Sequence, residues 1–325
     1  MTRIQLPPVV AGSRISGLGS FRPERVVDNH ELARIMDTND EWIRSRVGIQ
    51  ERRFAGPEDT VVSMGAAASA KALAEAGLQP SDVDTVIVAT CTLESQIPHA
   101  ATQVAGLLGI HAPGSFDINA ACAGFCYGLA AADQAVRTGN SRTVLVVGSE
   151  KLTSWTDPTD RATAIIFADG AGAAVVTATD DPGVGPVVWG SDETQSDAIR
   201  VADRNGSLFQ EGQAVFRWAT TAIGPVAVRA AEAAGVSLAD IDVLVPHQAN
   251  LRIVEAVAKK VIAAGGRPDL VVARDIVTSG NTSSASIPLA LDRMRAAGEV
   301  ASGALVLAVG FGAGLTYAAQ VFRCP

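Results

Sequence analysis

A cysteine at a strand-to-helix corner is the first residue in this chain with chemistry to offer. Cys122 lies in SFDINAACAGFCYGLAAADQAVR, where a strand-like pattern ends near Asn119 and a helical pattern runs from about Cys122 to Arg137. The unpaired backbone N–H groups and the positive dipole end at such a corner favour thiolate over thiol. The same N–H groups can stabilise a carbonyl oxygen during acyl transfer. Ala121, Ala123 and Gly124 leave room for a substrate to come close. Most cysteines serve as small buried hydrophobes. That reading suits Cys126, whereas the corner makes Cys122 a candidate nucleophile.

His247 ends the run DVLVPH and leaves a strand after Pro246, at the kind of sheet end where α/β sites gather. The other histidines, His30, His99 and His111, sit in loop-like settings. Asn281 belongs to TSGNTSSASIPLAL, a tight polar turn before a helix of small residues. It reads equally as a helix cap or as an amide donor aimed into a cavity shared with His247. The loop GFGAG, Gly310 to Gly314, follows the strand LVLAV but lacks the spacing and the lysine of a phosphate loop. It fits better as a row of backbone donors near a reacting carbonyl. In NDEWIRSRVGIQERRF, residues 39–54, Trp42 stands with Arg44, Arg46, Arg52 and Arg53. That segment is either an amphipathic helix with a solvated basic face or a stacking site for a purine ring.

The elements that must position these residues show an internal repeat. AEAGLQPSDVDTVIVAT, Ala74 to Thr90, resembles AEAAGVSLADIDVLVPH, Ala231 to His247. Aligning Gly77 with Gly235 also aligns Asp82 with Asp240 and Asp84 with Asp242, at a constant offset of 158. In both copies a helical pattern stops at glycine, and a β-branched run fit for a buried strand follows. Further strands are expected at Ser115–Ala120, Thr143–Gly148, Ala171–Ala178, Leu270–Val272 and Ala304–Val309. Their continuous apolar runs between helices predict sheets covered on both faces. Ser191–Gly212, polar and glycine-containing, reads as a surface excursion. The organisation is two fused α/β halves split near residue 180, in keeping with a length beyond the ~250–300 residues that one core usually sustains.

Composition narrows the function classes. A net charge of −8 disfavours a nucleic-acid partner, while leaving room for a local basic patch that meets a small anion or an acidic protein. No apolar run approaches the ~20 residues of a membrane span, and the first residues lack a secretory pattern. Four cysteines in 325 residues give no disulfide framework, and Cys122 with Cys126 lacks further ligands for a metal. A soluble, cytoplasmic protein is the resulting expectation.

Together the motifs DNHELARIMDTNDEWIRSRVGIQERR, DINAACAGF, FADGAGAAVV, VPHQANLRI, SGNTSSAS and GFGAGLTYAAQ resemble the beta-ketoacyl-acyl-carrier-protein synthase III family of thiolase-fold condensing enzymes. The resemblance covers nearly the whole chain. It implies a layered α-β-α-β-α core, with residues 1–180 carrying the cysteine and residues 181–325 carrying His247 and Asn281. It also implies a Cys122–His247–Asn281 triad and an oxyanion hole from the N–H groups of Cys122 and Ala313. Trp42 and Arg161 would stack on the adenine of coenzyme A, with Arg46 near its phosphates. Gln213, where the family often has Asn, would lie by the pantetheine arm. Arg217, Arg252, Lys259 and Lys260 would meet an acyl carrier protein. Ile97 would wall the acyl pocket of a neighbouring subunit in a homodimer, with room for a primer bulkier than acetyl. No cofactor is implied, since acyl-CoA and the carrier protein are substrates. The implied reaction is decarboxylative condensation that starts fatty-acid or polyketide synthesis; the alternative is starter-unit acyl transfer without condensation. A thiolase would need a second catalytic cysteine in GFGAG, and elongating synthases need a second histidine after Cys122; neither is present. Chalcone-synthase-like enzymes share the three residues but usually have longer chains.

Overall fold

The computed structural model describes residues 7–203 and 206–325. In chain order its strands are β1 (Gly12–Phe21), β2 (Arg25–Asp28), β3 (Glu51–Phe54), β4 (Thr85–Ala89), β5 (Gly114–Ile118), β6 (Thr143–Lys151) and β7 (Asp169–Thr179). They continue with β8 (Val188–Ser191), β9 (Ile199–Val201), β10 (Leu208–Gln210), β11 (Val243–Pro246), β12 (Val271–Val272), β13 (Leu305–Gly312) and β14 (Thr316–Arg323). The helices are α1 (Asn29–Leu32), α2 (Asp40–Val47), α3 (Val61–Ala76), α4 (Ala100–Leu108) and α5 (Gly124–Arg137), then α6 (Gly212–Ala233), α7 (Leu251–Ala263), α8 (Ile276–Ser279) and α9 (Ser286–Ala296).

Two five-stranded sheets follow one plan. The first runs β1-β7-β6-β4-β5 and the second β8-β14-β13-β11-β12. In each, the three strands at one end are parallel and the other two pair antiparallel. The strands of the first sheet all lie at or before residue 179, and those of the second at or after residue 188. Val, Ile, Leu and Ala fill β4, β6 and β13 on both faces, so each sheet needs a helical layer on either side. Helices α3 and α4 cover the outer face of the first sheet, α6 and α7 that of the second, and α5 with α9 fill the space between. Five layers, α-β-α-β-α, result. The middle layer is made dry by Phe125, Leu129, Ile287, Leu291 and Met294 from the helices against Val146, Val176, Val245 and Phe322 from the sheets.

The sequence repeat is a repeat of structure. Gly77 and Gly235 both take positive φ, 67° and 69°, just past α3 and α6. Short 3-10 turns end at Asp82 and Asp240, whose carboxylates accept the backbone N–H of Gln79 and Ser237. Asp84 and Asp242 then pin the start of the next parallel strand, accepting the N–H of Thr143 and of Leu305. The expected strands all form, with changed limits. β6 and β13 each run three residues further than the apolar pattern suggests, to Lys151 and Gly312, because antiparallel partners β7 and β14 carry the ladder through the polar and glycine positions.

Candidate active site

The two halves meet at matched turns. After β5 a 3-10 turn, Ala121–Ala123, leads into α5; before α9 a second, Ser283–Ala285, does the same. Ala121 and Ser283 occupy the same place in these turns, and both take positive φ, 45° and 50°. The turns pack on each other at the bottom of a cavity of about 790 Å3 whose lining includes Cys122, His247 and Asn281. The strand-to-helix corner anticipated for Cys122 therefore forms, with one turn of 3-10 geometry before the α-helix.

Cys122 comes close to the other half through a glycine. A Cβ placed on Gly312 would lie 2.7 Å from Cys122 Cβ and 2.9 Å from its backbone nitrogen, so only glycine fits there. Ala313, next in the chain, lines the same cavity. Burial pushes the Cys122 thiol up to about 12. A hydrogen bond with Ser283 and one from the backbone N–H of Cys122 pull it down, and the negative charge of Glu150 adds to the rise. Desolvation thus works against the thiolate that the N–H groups of the helix corner favour.

His247 follows β11, its N–H held by the Val309 carbonyl at 2.8 Å. The side chain is buried, edge-on to the Phe311 ring at 5.3 Å, and its Nδ1 lies 2.7 Å from Ser286 Oγ. Burial pulls the imidazole down to about 3, which keeps it neutral. Asn281 is fixed by its backbone, which bridges to Ile166 and Ala168. Its side-chain oxygen accepts the Ser283 N–H at 2.8 Å. That commitment leaves the amide nitrogen as the available donor in a residue that lines the cavity with His247, while the N-cap position of the turn falls to Thr282, which makes no side-chain cap bond. Ser286 and Ser283, the partners of His247 and Asn281, lie within the TSGNTSSASIP motif, yet serine spacing alone gave no sign of which serine would face which residue.

The mouth of the cavity is basic. Arg46, Arg161, Arg200, Arg217 and Arg252 line it, together with Trp42 and Gln213. Arg161 lies over the Trp42 indole at 4.7 Å and Arg46 at 5.6 Å, while Arg252 lies over Phe216 at 5.1 Å. The rest of the arginine cluster in residues 39–54 does other work. Arg44 pairs with Asp40 on the surface, and Arg53 reaches the carbonyls of Pro23 and Glu24. Arg52 is fully buried and binds the Val27 and Ile165 carbonyls and Asn29 Oδ1, with desolvation pulling it down to about 10. Lys259 and Lys260 are exposed on α7 and do not line the cavity. Ile97 is 86% exposed and is absent from the cavity of its own chain.

The segment 191–212 corrects the expectation of a surface excursion. It forms the β9–β10 hairpin, and Ile199, Arg200, Val201, Leu208 and Gln210 wall the cavity. The Leu208 N–H binds the Trp155 carbonyl at 2.7 Å, which draws the hairpin onto the first half. Its alternation of apolar and charged residues is too short to register as strand in a sequence. No helix among the described residues is long and apolar enough to cross a membrane.

Comparison with known proteins agrees with this geometry. The chain matches the 3-oxoacyl-[acyl-carrier-protein] synthase III family over residues 116–193 and the C-terminal domain of that family over residues 231–324. It is 50% identical to the beta-ketoacyl-[acyl-carrier-protein] synthase III 2 of Streptomyces avermitilis, over 97% of this chain and 99% of that one. It is 49% identical to a mycobacterial beta-ketoacyl-[acyl-carrier-protein] synthase III of Mycobacterium avium, over 95% and 94%. Among solved structures, the priming beta-ketosynthase of the R1128 polyketide pathway superposes with a TM-score of 0.95 at 43% identity, covering 100% of this chain and 99% of that one. With the fold, the cavity and full-length relatives in agreement, the chain belongs to the 3-oxoacyl-[acyl-carrier-protein] synthase III family of thiolase-fold condensing enzymes.

Proposed function

We propose that this enzyme condenses a short acyl-CoA primer with malonyl-acyl-carrier protein to give a beta-ketoacyl-carrier protein, the first carbon–carbon bond of a fatty acid or polyketide. The observation that carries the reading is the convergence of Cys122, His247 and Asn281 on one cavity with an arginine-lined mouth. Cys122 attacks the primer thioester, its proton leaves with the coenzyme A sulfur, and the acyl group stays on Cys122. The N–H groups of Cys122 and Ala313 hold the carbonyl oxygen during this step. The malonyl thioester then enters and loses carbon dioxide. Neutral His247 and the Asn281 amide donate hydrogen bonds to its carbonyl oxygen as enolate charge builds. The enolate carbon attacks the acyl group, and Cys122 departs as a thiolate that regains a proton.

Trp42 and Arg161 would sandwich the adenine of coenzyme A, Arg46 would meet its phosphates, and Gln213 would lie along the pantetheine arm. Arg217 and Arg252 at the rim, with Lys259 and Lys260 beyond it, suit an acidic carrier protein despite the negative net charge. The reading includes no resident cofactor. A homodimer is supported by the open edge strand β5 and by exposed Phe116, Leu107 and Ile97 on or beside it. Across that interface Ile97 would reach the partner's acyl pocket.

The deciding experiment is the intact mass of malonyl-carrier protein after incubation with the enzyme and a panel of straight and branched acyl-CoAs. A carrier mass matching the beta-ketoacyl product identifies both reaction and primer. Acyl transfer to the carrier without loss of carbon dioxide would instead make the protein a starter-unit acyltransferase.

A further inference from the structure

Beneath the cavity floor lies a carboxylate that the mechanism above does not use. Glu150, near the end of β6, is fully buried and forms no ion pair with a described residue. Its two oxygens link both halves of the molecule, and the Cys91 thiol lies 3.5 Å from Oε1 and 3.6 Å from Oε2. Oε2 accepts from the Thr92 hydroxyl at 2.6 Å, the Cys91 N–H at 3.1 Å and the Thr90 hydroxyl at 3.2 Å, all just after β4. Oε1 accepts from Ser284 at 2.8 Å and Ser283 at 3.1 Å, in the turn that follows Asn281.

The internal repeat shows what is unusual here. β6 and β13 correspond at an offset of 162, which also relates the two 3-10 turns. Glu150 thus corresponds to Gly312, and Cys122 to Ser284. Gly312 of the second half makes room against Cys122 of the first, and at the mirrored crossing Glu150 of the first half meets Ser284 of the second. Packing at such a crossing is satisfied by a glycine. A buried, unpaired carboxylate is costly, so a role beyond filling space is implied. Burial does raise the Glu150 carboxyl above its usual range, while its hydroxyl and N–H donors oppose the rise.

The role follows from what Ser283 touches. Its positive φ is a conformation that non-glycine residues hold only when their surroundings enforce it. Its Oγ is tied to Glu150 and lies 3.9 Å from Cys91 Sγ, and its N–H fixes the Asn281 side-chain oxygen. Resting on the assignment of Cys122, His247 and Asn281 as the reacting set, we propose that Glu150 is a positioning residue for the condensation step, acting through Ser283 to keep the Asn281 amide nitrogen turned to the incoming malonyl thioester.

The test separates the two half-reactions in Glu150→Gln, Ser283→Ala and the double variant. Cys122 acylation is followed by intact mass on mixing with acyl-CoA, and condensation by product formation from pre-acylated enzyme with malonyl-carrier protein. Glu150→Gln keeps the shape but cannot accept from both segments. It should acylate within about 3-fold of the parent and condense roughly 10- to 100-fold more slowly, less than or equal to the loss of one oxyanion donor. Ser283→Ala should lose condensation to a similar degree, and the double variant should lose no more than the worse single, because both act along one path. Parent-like condensation by Glu150→Gln, equal losses in both half-reactions, or multiplying losses in the double variant would each overturn the proposal. Should Glu150→Gln not fold, Glu150→Asp, which keeps the charge but shortens the reach, is read by the same criteria. A parent enzyme that makes no beta-ketoacyl product from any primer defeats the functional reading itself, and this inference with it.

Discussion

Ser286 Oγ sits 2.7 Å from His247 Nδ1 and also accepts the Gln248 backbone N–H, at 3.3 Å. The proposed reaction needs a donor at Nε2, and it gets one when the serine turns its hydroxyl hydrogen to Nδ1 and leaves the imidazole proton on Nε2. The ring is then a neutral donor. Nitrogen NMR of ring-labelled enzyme should show the Nε2–H tautomer unchanged from pH 5 to pH 9. A ring that titrates near its ordinary value of 6.5 would contradict this.

The same burial has a signature in stability. His247 is held near 3 in the fold, against 6.5 as the ordinary value, so below pH 6.5 the unfolded chain takes up a proton that the folded one refuses. The stability contributed by neutral His247 is whole above pH 6.5 and declines as pH falls toward 3. At pH 5.0 the loss is roughly 2 kcal/mol. Urea midpoints at pH 7.5 and 5.0 should fall further for the parent than for His247→Gln. Equal falls would show that the ring titrates freely in the fold.

Removing the nucleophile and removing the amide should fail at different steps. Cys122→Ala should show no acyl adduct by intact mass. Asn281→Ala should take up the acyl group, then condense on the order of 100-fold more slowly, the scale of one preorganised donor. Undiminished condensation by either variant contradicts the assignment.

At the mouth, the Arg161 guanidinium lies 4.7 Å from the Trp42 ring centre. In the proposed complex the guanidinium would leave the indole and stack on the adenine instead, a contact of about 0.5–2 kcal/mol. Arg161→Ala should therefore raise the KM for acyl-CoA by roughly 3- to 30-fold with kcat within about 2-fold. The Lys259→Ala, Lys260→Ala double variant should leave that KM alone and raise the KM for the carrier protein. A change in acyl-CoA KM from the lysine pair would redraw the two subsites.

Much of this architecture could be read from residue patterns. The Gly77/Gly235 match and the apolar runs that follow are local features, and local features survive in sequence. The position of Cys122 at a corner was legible for the same reason. What the pattern could not convey was long-range. The burial that pushes Cys122 and His247 toward their neutral forms comes from residues distant in the chain, Gly312 against Cys122 and Ser286 and Phe311 against His247, and the helix-corner argument for a thiolate sees only the near side. Glu150, between Ser149 and Lys151, looks like the polar end of a strand; its burial depends on Ser283 and Ser284, more than 130 residues away in the chain. The hairpin at 199–210 was missed because two three-residue strands carry too little periodicity to stand out from a polar loop.

The close approach of Gly312 to Cys122 has a counterpart in Gly148, where an added Cβ would lie 2.6 Å from the Ser284 carbonyl oxygen, and in Gly310, where it would lie 3.0 Å from Ala123 Cα. At all three the obstruction includes backbone of the opposite half, which cannot swing aside as a side chain can. The seam between the halves is therefore a poor place to redesign this enzyme. A library aimed at new primers or new carriers would waste its members there, and would find its tolerant positions at Ile199, Val201, Leu208 and Gln210, which wall the cavity without carrying any of the reacting groups.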